Sequence, residues 1–266
     1  MAAFGFIGIG NMGGAIAMAA AKAVDPAQIL VSAQHPEKAA AFSAAYGTTP
    51  SDNKTIAREA KFVVLGVKPQ YMEGVLKELK PILEVRTDAV LVTMAAGLNM
   101  NNISCMVGAG YPVIRIMPNT PAKVGQGVIL YDSNDRVRKE DLDEFLAAMK
   151  YAGLLDHLPE KLIDAGSAVT GCGPAFVSMF VEALADGGVA CGLPRAKAME
   201  YAAQMLYGTA KLMLESGDHP GEMKDAVCSP GGSTIQGVRA LEQGGFRGTV
   251  MEAVIAAYEK NKEFIK

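Results

Sequence analysis

Gly8, Gly10 and Gly13 carry the first chemical signal in this chain. They stand at G-x-G-x-x-G spacing within Phe4-Gly5-Phe6-Ile7-Gly8-Ile9-Gly10-Asn11-Met12-Gly13, behind an apolar strand-like run and ahead of an Ala-rich helical one. In that setting the first glycine permits a tight strand-to-helix turn. The second lets the backbone approach a pyrophosphate, and the third lets helix pack closely on strand. Unpaired N–H groups at the helix start then hold the anion. The spacing alone also fits a ligand-free glycine turn, so the flanking strand and helix decide the reading: a dinucleotide site.

An NAD site of this kind places Asp or Glu about twenty residues on, at the end of the second strand, against the ribose 2′-hydroxyl. Here that stretch reads Val31-Ser32-Ala33-Gln34-His35. With no carboxylate to repel a 2′-phosphate, NADP is admitted, and Ser32 is a candidate donor. Lys38 reads first as an exposed helix lysine. Two more segments fall at predicted strand ends, where open α/β sheets bind ligands: Gly66-Val67-Lys68-Pro69 and Met94-Ala95-Ala96-Gly97. Their small residues admit a flat ring; turn packing at 95–97 and a solvated cation at Lys68 are the plainer alternatives. Arg115-Ile116-Met117-Pro118-Asn119-Thr120-Pro121 reads as a rigid wall near the nicotinamide.

The elements that must position these groups follow from periodicity. Up to about Glu160, apolar runs at Phe4–Ile9, Ile29–Ser32, Phe62–Val67, Val90–Met94 and Val113–Met117 alternate with helix-length stretches. Runs apolar on both faces with such connections predict a parallel sheet covered by helices on each side, an α/β, Rossmann-type doubly wound fold. Gly127–Tyr131 and Gly153–Leu158 would extend its edge. Beyond Glu160 the β-branched pattern ends, and helices are predicted over Ala175–Cys191, from Pro194 to about Ser216, and over Glu222–Val227, Ser233–Gln243 and Arg247–Ile265. The expected domains are 1–160, binding the dinucleotide, and 161–266, all α-helical. The second carries more Ala, Met, Leu and Val than a thin bundle can bury, so a homodimer through it is predicted.

Composition narrows the class. The chain has 266 residues, 50% of them hydrophobic, and a net charge of −3 without a basic stripe, which argues against nucleic acid as a partner. No uninterrupted apolar stretch reads as a membrane span and no cleavable leader is visible, so a cytoplasmic location away from membranes is expected. Cys105, Cys172, Cys191 and Cys228 are widely separated and the three histidines scattered, which points to reduced thiols and no metal site.

Assembled, these segments resemble the Δ1-pyrroline-5-carboxylate reductases nearly end to end. The family marks are Gly5 to Met12, Gly66 to Pro69, Ala95 to Gly97, Met117 to Pro121, Gly171 to Ala175, and Ala185 to Val189 with Gly192-Leu193. The most specific is Lys224-Asp225-Ala226-Val227-Cys228-Ser229-Pro230-Gly231-Gly232-Ser233-Thr234-Ile235, with Leu241-Glu242 after it. The resemblance implies reduction of a cyclic imine acid to proline with NADPH or NADH, NADPH being favoured. The expected cofactor residues are Ile7, Gly8, Gly10, Asn11, Met12 and Gly13 at the turn, Ser32 at the end of the second strand, and Asn53. Val67, Lys68, Pro69, Ala95, Ala96 and Gly97 complete that set. The substrate carboxylate falls to Val227, Gly232, Ser233 and Thr234, with Thr234 the catalytic contact. An ordinary cap by Ser233 or Thr234 is the plainer reading of the same helix start.

The resemblance also implies interlocked dimers whose sites the neighbouring chain completes, and a pentamer of dimers. Two positions depart from the family's Gly-Ser-Gly-Pro-Ala-Tyr: Cys172 and Phe176 lack the two hydroxyls. A 3-hydroxyacid dehydrogenase of similar architecture is the enzyme alternative, yet Gly171 to Met179 offers no lysine or histidine as general acid. Another cyclic imine and a non-catalytic NADP-binding sensor complete the alternatives.

Overall fold

The computed structural model describes residues 2–108 and 110–263. By internal contacts the chain forms two compact units, Met1–Gly171 with Ala257–Lys266, and Cys172–Ala256.

The first unit is built on one eight-stranded sheet: β1 (Ala2–Ile7), β2 (Ile29–Ser32), β3 (Thr49–Pro50), β4 (Ala60–Leu65), β5 (Val90–Thr93), β6 (Val113–Met117), β7 (Gly127–Ser133) and β8 (Gly153–His157). Their order is β3-β2-β1-β4-β5-β6-β7-β8, and all pairs are parallel except β6 with β7. Order therefore reverses between β1 and β4, the switch point where doubly wound sheets leave a ligand crevice. The helices are α1 (Asn11–Ala23), α2 (Pro36–Tyr46), α3 (Asn53–Glu59), α4 (Pro69–Leu83), α5 (Met100–Val107), α6 (Lys139–Met149) and α7 (Glu160–Thr170).

Alternation along each strand splits the core into two layers. Phe4, Phe6, Val31, Phe62, Val64, Val92, Ile114 and Ile116 face Ile16 and the alanines of α1 and Phe145 and Met149 of α6. Ile7, Leu30, Val63, Leu65, Leu91 and Val113 face Ile56 of α3, Met72, Leu76 and Leu79 of α4, and Ile103 of α5. In the first layer Phe62 lies 4.9 Å from Phe4 and 5.6 Å from Phe145, centroid to centroid, within the range of aromatic pairing. At the edge of this layer Asp141 is buried between Lys61, at 2.8 Å, and Arg138, at 2.7 Å. The contact boundary falls after Gly171 rather than at the expected residue 160, because Ile163 of α7 is buried against Met117 and Leu130 of the sheet.

The second unit holds α8 (Gly173–Ala190), α9 (Arg195–Ser216), α10 (Pro220–Ala226), α11 (Ser233–Gln243) and most of α12 (Phe246–Glu263). The expected last helix ran to Ile265, which lies outside the described residues. Small side chains let α8 and α9 approach: a Cβ on Gly188 would lie 3.2 Å from that of Ala198. In Cys172–Ala256 the buried side chains are three alanines, Ala185, Ala198 and Ala202. Met179, Met205, Tyr207, Leu212 and Leu214 are exposed.

One expectation needs correcting. The segment Glu160–Ala190 contains an 18-residue window of mean hydropathy 1.5, and is long and apolar enough to cross a membrane by length and composition alone. A turn at Gly171-Cys172 interrupts it, and Glu160 and Asp164 at its start are tied to Arg115. Its apolar character joins that of α9, α11 and α12 as surface left uncovered by a single chain.

Candidate functional site

The glycine turn does what its spacing predicts. Gly8 takes a left-handed φ of 93°, and its carbonyl oxygen would lie 2.1 Å from a Cβ on Gly13 and 2.2 Å from one on Gly66. Turn, helix and β4 end thus meet backbone to backbone. Gly10 is different: a Cβ there would meet nothing within 4 Å, so its face is open to a ligand. It caps α1 without a side-chain hydrogen bond, and no acidic residue stands in the first turn. The helix start therefore keeps its N–H groups and positive end for an anion.

Three hollows with shared lining residues run along this edge of the sheet. The largest, about 660 Å³, is lined by Gly8, Gly10, Asn11, Val67 and Lys68 among others. A second of about 280 Å³ joins Ile7 and Gly8 to Ser32, Asn53 and Val67, and a third of about 530 Å³ takes in Ser32, Asn53 and Lys54. At the ribose end the buried Ser32 hydroxyl donates to Oδ1 of Asn53 at 2.6 Å, which leaves the N–H donors of that amide for a ligand. Two acids, Asp52 and Glu78, line the third hollow; Asp52 is engaged in capping α3, accepting from the Thr55 backbone N–H at 2.9 Å and from its hydroxyl at 2.8 Å. Those bonds hold its carboxyl below the usual range.

Several lining residues escaped the sequence reading. Tyr71 borders two of the hollows, and Phe42, Tyr46 and Lys123 border the largest. The one available signal was position: Tyr71 falls two residues after Pro69, in the first turn of α4. Met12 is half-buried and Pro69 opens α4, and neither lines the hollows. Ala95, Ala96 and Gly97 lie one strand over, beyond the end of β5, with Gly97 at φ 76°.

The stretch read as a wall is held from behind. Asn119 donates to the Thr170 carbonyl at 2.9 Å and accepts from the Val128 N–H at 2.9 Å, so both ends of its amide are engaged in structure. Arg115 is 2% exposed in β6, with Nη2 2.7 Å from Asp164 and Nη1 3.5 Å from Glu160.

In the helical unit the predicted carboxylate residues surround the start of α11. Gly231 has φ 72°, and Gly232 caps the helix with no side-chain hydrogen bond and no acidic residue in the first turn. Neither Ser233 nor Thr234 supplies the cap, so the plain capping reading is not what the structure shows. Both residues are exposed, as is Val227. The helix offers uncommitted N–H groups with two hydroxyls beside them, an arrangement suited to a carboxylate. At the two departures, Cys172 occupies the N-cap position of α8 without a side-chain hydrogen bond and Phe176 is half-buried. Among the described residues no cluster of His, Cys, Asp and Glu is arranged to hold a metal ion.

Comparison with known proteins places the chain in a family. Residues 160–264 match the family described as pyrroline-5-carboxylate reductase dimerisation, and residues 3–97 match that described as NADP oxidoreductase coenzyme F420-dependent. The pyrroline-5-carboxylate reductase of Escherichia coli K12 is 40% identical over 265 residues, covering 98% of both chains. That of Pisum sativum is 41% identical over 261 residues, 97% of this chain and 94% of the relative. Among solved structures, a Plasmodium falciparum pyrroline carboxylate reductase with NADP bound superposes with a TM-score of 0.90 at 32% identity, over 99% of this chain and 98% of the other.

Proposed function

The chain belongs to the pyrroline-5-carboxylate reductase family, and from that premise we propose that it reduces Δ1-pyrroline-5-carboxylate to L-proline, the last step of proline biosynthesis. The bare start of α11 is the observation that carries the substrate assignment. Gly232 leaves the helix uncapped by any side chain, and Thr234 is free to donate its hydroxyl to the carboxylate. Val227, Gly232 and Ser233 complete that contact.

The residues fit a dinucleotide. Gly10 leaves room where a Cβ would block it, and the α1 N-terminus has neither cap nor acid. Ile7, Gly8, Gly10, Asn11, Met12 and Gly13 would hold the pyrophosphate. Ser32 and Asn53 would hold the ribose, and the absence of a carboxylate at the end of β2 favours NADPH over NADH. Val67, Lys68, Pro69, Ala95, Ala96 and Gly97 would flank the nicotinamide. When bound, NADPH supplies the hydride that adds to the imine carbon, with the C=N electron pair passing to the ring nitrogen. A protonated imine already carries the charge that accepts those electrons, so this chain needs to orient and desolvate more than to donate a proton.

The exposed apolar residues of α8, α9, α11 and α12 support a homodimer through the helical unit, and the family resemblance favours a pentamer of dimers in the cytoplasm. The test is absorbance loss at 340 nm with NADPH and the imine, proline being identified as product. Thr234→Ala removes a hydrogen bond to a charged group, worth about 1.5–3 kcal/mol, so KM for the imine should rise on the order of 10–150-fold while KM for NADPH stays near wild type. Equal rises in both would reject Thr234 as the anchor. A higher kcat/KM with NADH would reverse the cofactor preference.

A further inference from the structure

We propose that Glu160, held by the buried Arg115, is a positioning residue for the Ala95–Gly97 segment, and so acts on hydride transfer without touching either reactant. The inference rests on the reading of Ala95–Gly97 as a nicotinamide contact.

The segment is fastened at both ends. At its start, the Thr93 hydroxyl accepts from the Ala95 N–H at 3.3 Å, and Thr93 stands in register beside Arg115 on the neighbouring strand. At its end, α5 begins at Met100. Asn99 and Asn102 form a capping box that satisfies their own two N–H groups at 3.1 and 2.7 Å. The Met100 N–H is left outside that box, and a helix normally gives such a donor to water. Here Glu160, sixty residues further on, takes it at 2.7 Å.

Glu160 is itself fixed on two sides. Its backbone N–H donates to Asp132 at 2.6 Å, and its carboxylate lies 3.5 Å from Arg115 Nη1. Arg115 is committed through Nη2 to Asp164 at 2.7 Å, and its Nε is buried with no partner. A buried donor left unmade costs stability, and an apolar residue would fill an interior strand position without that cost. What the guanidinium adds is a fixed place for the carboxylate that ends the Ala95–Gly97 segment. Displacing a positioning group by about 1 Å can lower a rate on the order of 100-fold.

The experiment compares Glu160→Ala with Glu160→Gln, whose amide oxygen still accepts the Met100 N–H. NADPH affinity is read by fluorescence titration and turnover by NADPH oxidation with the imine. Glu160→Ala should raise the NADPH Kd at least fivefold and lower kcat at least tenfold, leaving KM for the imine within twofold. Glu160→Gln should recover both to within threefold of wild type. If Glu160→Ala does not fold, Arg115→Lys, which keeps the charge but not the reach to both acids, is expected to show the same split. Wild-type Kd and kcat in the alanine variant, or a glutamine variant as impaired as the alanine one, would overturn the proposal. The NADPH Kd needs no substrate, so it decides the role of Glu160 even if the wild-type protein binds NADPH and fails to reduce this imine.

Discussion

The two units of this chain contain similar kinds of side chain and bury them to opposite degrees. In the sheet unit, whole rows of Phe, Ile, Val and Leu are buried on both faces of the strands. In Cys172–Ala256 three alanines are buried, and about nineteen turns of helix leave Met, Leu and Tyr in view. A parallel sheet with helices on each face closes its core within one chain; helices carrying apolar residues around much of their circumference need a second body. The glycine turn is accordingly built from interlocking backbone, whereas the α11 start is an exposed loop on the unit that lacks a closed core.

The contrast can be broken most sharply on the helical side. Met205 and Leu212 lie seven residues apart on α9, two turns along one exposed face. Met205→Lys with Leu212→Asp would place unpaired charges on that face, costing about 4 kcal/mol or more if it is covered. The dimer Kd measured by sedimentation should rise on the order of 1000-fold or more, with imine reduction lost and the NADPH Kd unchanged. An unaltered dimer would place the interface elsewhere.

A smaller effect is expected from the sheet side. Phe62→Ala empties the centre of the Phe4–Phe62–Phe145 cluster and should lower unfolding stability by about 3–5 kcal/mol, read by urea denaturation, without changing the dimer Kd among folded molecules. The smallest effect tests the edge of the same layer. Arg138, then Lys61, hold the Asp141 carboxyl below its ordinary value. Burial works against the charge on Lys61, but hydrogen bonds to Asp141 and Glu144 outweigh it and raise that group. A lowered carboxylate stabilises the fold above its unfolded pKa and ceases to as pH falls through the folded one. The stability gap between wild type and Asp141→Asn should therefore be steady near neutrality and shrink below about pH 4. The Lys61 contribution has the opposite sense, present below about pH 10 and lost as pH rises through its raised value.

Much of this architecture was legible because it repeats. Strands apolar on both faces announced the parallel sheet, and the glycine spacing placed its ligand edge. β3 was not legible, being two residues, Thr49 and Pro50, with no room for alternation. Arg115 was read only as part of a wall. A single arginine in an apolar strand carries no periodic mark of acids 45 and 49 residues away, and only the fold brings them together. At α11 the loop was visible as a motif, but that Gly232 rather than a hydroxyl residue caps the helix follows from backbone angles the sequence does not display. Tyr71 and Lys123 reach the cleft through helix placement, which no local pattern encodes.

The uncovered helical surface also bears on the history of each molecule in the cell. During synthesis the strands emerge first, and their apolar faces can close on helices of the same chain. The helical half follows, and if it closes on a second copy, as proposed, it must wait for an encounter whose rate depends on how many like chains are present. A scarce chain would then spend longer as a client for chaperones and proteases than an abundant one.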